Sequence, residues 1–121
     1  MLRISRTGAA GLFAVALAAT PALAADPITG DQIEDMLIGN TVVGEMNDGH
    51  DYAEFYAPGG VVIAEDYHAQ WSIEGDEMCF DYSRADKSCF GVAVDMGKVQ
   101  WLDDGEVVGE GHVLPGNPHD F

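Results

Sequence analysis

The sequence is poor in bases. Its 121 residues carry five Lys and Arg against 21 Asp and Glu, a formal net charge of −16. Nucleic acids and anionic lipid surfaces are gripped through Lys and Arg, so neither is expected as a partner. Cysteine is scarce as well. Cys79 and Cys89 are the only two, too few for a thiolate metal centre, and no Cys-x-x-Cys is present for redox work. The N-terminal apolar run, Gly11 to Ala19, falls short of the roughly 20 residues a spanning helix needs, and Pro21 follows it closely. Also missing are a His-Glu-x-x-His, a Gly-x-Ser-x-Gly around Ser72, Ser83 or Ser88, and a Gly-rich phosphate loop ahead of a helix. Acids are so common that no Asp–Glu pair singles out an acid–base site. The expectation is therefore a non-catalytic protein, with no catalytic residue, no metal site and no cofactor.

What is present starts with an address. Arg3 and Arg6 form a basic n-region, Gly11 to Ala19 an apolar h-region, and Ala22-Leu23-Ala24 a small-residue cleavage site. Residues 1–24 are thus predicted to be a secretory signal peptide, which implies a periplasmic or secreted protein. Residues 25–121 keep all 21 acids but only Arg84, Lys87 and Lys98 as bases, a net charge of −18. These acids are scattered, with no adjacent run longer than pairs such as Asp103-Asp104. Scatter of this kind marks a solvated surface rather than a disordered tail, one that attracts cations or a basic protein surface. Two cysteines in an oxidising compartment predict one disulfide, Cys79–Cys89. Closing so short a loop is worth about 2–3 kcal/mol in the chain-entropy model.

One helix is signposted. Thr29 at the N-cap and Gln32 three residues on make a capping box, with Ile28 and Ile33 placed as a hydrophobic staple. Ile33, Met36 and Leu37 recur at helical spacing, and Gly39-Asn40 stops the run, so residues 30–38 are predicted as a short amphipathic helix. After Asn40 everything has strand character. The runs are Thr41–Met46, Tyr52–Ala57, Val61–Glu65, Gln70–Glu74, Met78–Tyr82, Cys89–Asp95, Lys98–Leu102 and Glu106–His112. Turn residues such as Asn47-Asp48-Gly49, Pro58-Gly59-Gly60 and Gly75-Asp76 separate them, and the glycines are assigned to turns and strand ends. No gap holds a helical crossover, so pairing should be antiparallel. The chain is read as mainly β, a small antiparallel barrel of seven to eight strands over residues 25–113, followed by a loose tail, residues 114–121. If Cys79 opposes Cys89, Met78 opposes Phe90, and Phe80, Val92 and Val94 share that inner face. The same alternation turns Trp71 and Ile73 inward.

Candidate functional residues come from the aromatics. Tyr52, Phe55, Tyr56, Trp71, Phe80, Tyr82, Phe90 and Trp101 fit strand interiors. A small barrel either fills its lumen with such side chains or keeps a pocket for one ligand. For the pocket, Trp71 and Trp101 are expected as walls, with Tyr56 and Phe80 as further ligand-binding residues. Glu54, between Tyr52 and Tyr56, fits equally inside the barrel or on an outer polar face. His50, His68, His112 and His119 show no metal-ligand spacing. Asn47-Asp48-Gly49-His50-Asp51 and Asp103-Asp104-Gly105-Glu106 lack the alternation of a calcium loop.

The helix Thr29–Asn40 running into Thr41-Val42-Val43-Gly44, the Tyr56-Ala57-Pro58-Gly59-Gly60 turn, and the segment Trp71 to Phe80 with Cys89 beyond form a pattern. It resembles a group of small exported alphaproteobacterial proteins with a lipocalin-like barrel or half-barrel. That resemblance implies the fold and carries over no catalytic residues. A weaker similarity, in size, export and a single disulfide, is to periplasmic barrels that inhibit proteases or lysozyme. The expected function is a monomeric binding protein of the cell envelope, taking a small ligand at the barrel mouth or a basic protein surface. The alternative is a periplasmic or secreted inhibitor of a protease or lysozyme, its acids and exposed loops forming the contact, with the segment around Arg84–Lys87 as the candidate projecting loop that carries positive charge.

Overall fold

The computed structural model describes residues 25–83 and 86–121; the expected signal peptide, residues 1–24, lies outside them, as do Arg84 and Ala85. Among the described residues one helix, α1 (Gly30–Leu37), precedes eight strands: β1 (Thr41–Met46), β2 (Asp51–Ala57), β3 (Val61–Ile63), β4 (His68–Glu74), β5 (Glu77–Asp81), β6 (Ser88–Asp95), β7 (Lys98–Asp103) and β8 (Glu106–Leu114). Each strand pairs antiparallel with the next, and β8 pairs with β1. The sheet therefore closes into an eight-stranded up-and-down barrel and keeps no free edge. β3 ends at Ile63 rather than Glu65 because the Ala64 N–H donates to the Tyr67 carbonyl (3.0 Å), which turns the chain early. β8 runs on to Leu114 because Thr41 pairs with it there.

The capping box forms as spaced. Thr29 Oγ1 accepts from the Gln32 N–H at 3.3 Å, and Gln32 Oε1 accepts from the Thr29 N–H at 2.9 Å. Ile33 and Leu37 are fully buried, whereas Met36 is 41% exposed, so the apolar stripe is narrower than the spacing suggests. The Gly30 N–H donates to Asp76 Oδ1 at 2.8 Å, and a Cβ on Gly30 would collide with the Gly75 carbonyl. Only glycine lets the helix start rest on the β4–β5 turn. After the helix, the Gly39 N–H donates to the Tyr56 carbonyl (2.7 Å) and the Tyr56 N–H to the Asn40 carbonyl (3.0 Å), fastening the chain to the end of β2.

The helix thus closes one end of the barrel. Beneath it, the inward side chains Val42, Val62, Met78, Val92 and Val99 are fully buried against Ile33 and Leu37. Cys79 pairs with Cys89 and Met78 with Phe90, as the alternation predicts, and the two sulfurs are bonded. Segment 114–121 is better held than its two prolines suggest. The Gly116 N–H donates to Asn40 Oδ1 (2.9 Å), Thr41 Oγ1 donates to the Gly116 carbonyl (2.8 Å), and His119 stacks on Phe121 with ring centres 5.2 Å apart. Asn40 and Thr41 offer side-chain partners at the helix end, and the tail takes them.

Candidate ligand-binding site

In an up-and-down barrel, alternate connections share an end. The β1–β2, β3–β4, β5–β6 and β7–β8 connections all lie opposite the helix, and a cavity of about 540 Å³ opens among them. The lumen is thus filled with aliphatic side chains near the helix and hollow near the mouth. That volume falls within the roughly 300–1,000 Å³ of small-molecule pockets.

β2 supplies the centre of this site. Its two-residue alternation sends Tyr52, Glu54 and Tyr56 inward, while Phe55 stands on the outer face. Glu54 is 4% exposed. Its Oε1 accepts from the Tyr56 hydroxyl (3.1 Å), and its Oε2 accepts from the Tyr67 hydroxyl (2.5 Å) and the Tyr82 hydroxyl (2.9 Å). Three phenols therefore serve one carboxylate, which meets the demand that a buried charge be hydrogen-bonded. Phe80 is the aromatic hub. Its ring lies 5.6 Å from Trp101 edge-on, 5.8 Å from Tyr56 and 6.2 Å from Phe90, while Tyr67 and Tyr82 meet edge-on at 6.0 Å nearer the mouth. These are the spacings at which aromatic pairs attract.

Tyr52 is seated by missing side chains. Gly44 stands opposite Tyr52 on one side and Gly111 on the other. A Cβ on Gly111 would lie 2.6 Å from the Tyr52 hydroxyl, and one on Gly109 would collide with Met46 Sδ. The bare backbone at Gly111 lets the Tyr52 ring cross to β8, where its hydroxyl donates to the Glu110 carbonyl (2.9 Å) and accepts from Trp101 Nε1 (2.7 Å). The assignment of the glycines to turns and strand ends is corrected here, since Gly44, Gly109 and Gly111 lie within strands. Neighbouring strands occupy their space: the β8 backbone at Gly44, the Met46 side chain at Gly109, and the Tyr52 hydroxyl at Gly111.

All four tyrosines of the chain line this cavity. Burial pushes the Tyr52 phenol up from its ordinary 10.0 to about 12, with the Trp101 N–H opposing the shift and the Glu54 charge adding to it. Tyr56, Tyr67 and Tyr82 are also raised, first by burial and then by the Glu54 carboxylate they face. Each remains a neutral donor. Among the described residues the two Lys are engaged elsewhere: Lys87 pairs with Glu74, and Lys98 with Glu110 at 3.3 Å. Asp66, His50 and His68 stand at the rim.

Of the residues expected from sequence, Tyr56, Phe80 and Trp101 line the cavity and are nearly or fully buried. Trp71 does not. It points inward but toward the helix end, where its Nε1 donates to the Ala57 carbonyl (2.9 Å) at the β2–β3 turn. The direction of β4 puts it there, because strand alternation fixes the face of a residue and not its height in the barrel. Tyr67 lies in a turn, where alternation assigns no face, and Tyr82 follows the end of β5, so neither stands out in the sequence as a lining residue. The signal for both is that every second connection of an up-and-down barrel meets at one end. Among the described residues, one group has metal-ligand proximity, Glu74 with Cys79 and Cys89. Its two sulfurs are bonded to each other and its carboxylate to Lys87, so it offers no thiolate. Compared with protein-family models, curated proteins and solved structures, the chain matches none.

Proposed function

We propose that this is an exported, non-catalytic binding protein that holds a small ligand in the open end of its barrel. The carrying observation is the cavity of about 540 Å³ lined by aromatic rings at the end the helix leaves open. A purely structural core would close over these rings, as the aliphatic half of the same lumen does under Ile33 and Leu37. Tyr67 and Tyr82 are instead 36% and 41% exposed at the mouth. Export is supported by the signal-like residues 1–24 and by the disulfide, which persists in oxidising compartments. A monomer is supported by closure of the sheet, which leaves no strand edge to recruit a second copy. For the inhibitor alternative, Arg84 lies outside the described residues, and within them Lys87 is paired with Glu74.

Native mass spectrometry of the protein taken from the envelope fraction of its own host tests the proposal. The expected result is a small retained mass that leaves on denaturation and quenches Trp101 fluorescence when added back. A bare chain whose fluorescence answers to no small apolar molecule would overturn it.

A further inference from the structure

We propose that the cavity selects small organic cations, a protonated or quaternary amine carried on an apolar skeleton. The inference rests on the ligand-binding function above and names the ligand class. Its first support is the direction in which the hydroxyls point their protons. Tyr56, Tyr67 and Tyr82 donate theirs to Glu54, and Tyr52 donates to the Glu110 carbonyl. Each phenol has a single proton to give. With those protons spent, the four oxygens offer lone pairs alone to whatever enters, so the interior favours a ligand that donates. A carboxylate or phosphate would meet acceptors and no free phenol proton.

The second support is charge. The Glu54 carboxylate is almost wholly buried, and among the described residues its hydrogen-bond partners are three neutral phenols. The three bonds donated by the described residues take three of its roughly four acceptor positions. A phenol that donates to an anion also becomes a better acceptor, since hydrogen bonds in series polarise one another. The third support is the rings. Phe80, Phe90, Trp101 and the tyrosines present electron-rich faces, which attract a cation within about 6 Å of the ring centre. Around the whole stands the net charge of −18 carried by residues 25–121, which draws cations and repels anions on approach.

The test titrates the chain lacking residues 1–24, as export would leave it, with three ligands sharing one skeleton: 4-phenylbutylammonium, 4-phenylbutanol and 4-phenylbutanoate. Calorimetry and Trp fluorescence follow binding. The ammonium should bind about tenfold tighter than the alcohol, the gain expected of a desolvated cation among rings, and more weakly as salt is raised. The carboxylate should bind least. Glu54→Gln should abolish the preference for the ammonium while keeping the alcohol. Should that variant fail to fold, Tyr82→Leu decides, since it removes a half-exposed ring at the mouth and should cost the ammonium more than the alcohol. Equal binding of ammonium and alcohol, or tighter binding of the carboxylate, overturns the cation inference and leaves the ligand-binding function standing. Binding of none overturns both. Arg84→Gln completes the set: an ammonium affinity that appears only in this variant would mean that the chain's own base takes the place proposed for a ligand, and would also overturn the inference.

Discussion

At the scale of single residues, the tyrosines make the sharpest forecast. A phenol whose folded value is raised contributes stability that is fully present below its unfolded value near 10.0 and is lost as pH climbs through the folded one. For Tyr52 that window runs from 10.0 to about 12, and Tyr56, Tyr67 and Tyr82 are displaced in the same direction. Ultraviolet titration should therefore show almost no tyrosinate in the folded chain at pH 10, with ionisation arriving together with alkaline unfolding. A tyrosine that ionises reversibly at its ordinary value, with the fold intact, would contradict the burial of that phenol in the cavity wall. The two tryptophans separate stability from binding. Trp71→Phe removes the bond to the Ala57 carbonyl and should lower stability by about 1 kcal/mol in urea denaturation, while the ligand-dependent fluorescence change survives. Trp101→Phe should remove that change, because Trp101 alone of the two lines the cavity.

At the scale of elements, the seam between β1 and β8 decides whether the sheet becomes a barrel, and Gly44 sits on it. A Cβ there would drive into the Glu110 carbonyl, and backbone offers less relief than a flexible side chain. Gly44→Ala is expected to cost about 1–3 kcal/mol or more, read as a lower denaturation midpoint. A neutral outcome would show that the seam is looser than its register. The eight strands and the helix were legible in the sequence because their signals are local. Gly, Asn and Asp mark the turns, alternation marks the faces, and Thr29 with Gln32 marks the helix start. The Cys79–Cys89 register followed from one disulfide and the pleat. The site was only partly legible. Alternation brings Tyr52, Glu54 and Tyr56 to one face, yet whether that face looks inward depends on closure with β8, a strand distant in sequence. Gly44, Gly109 and Gly111 look like turn residues in a linear scan, since what fills their space comes from other strands. Alternation gives Trp71 its inward face, and the direction of β4, which alternation does not reveal, gives it a height near the helix.

At the scale of the molecule, stability comes from a half-filled lumen, a helical plug and one covalent staple. Reducing Cys79–Cys89 should cost about 2–3 kcal/mol, measured as a shift in the urea midpoint between oxidised and reduced protein. Thiol labelling of the native protein should find no reactive cysteine, and two reactive thiols would refute the bridge. The staple joins the strands on either side of the β5–β6 connection, so its loss should loosen the mouth before the plugged end. The same polarity governs how the protein can be handled. Its C-terminal segment is moored at Asn40 and Thr41, beside the plug and a barrel's length from the opening. Coupled to a solid support through Phe121, every copy would stand with its opening toward the solution. A sensing layer built in this way needs no orientation step and loses no sites to the surface beneath it.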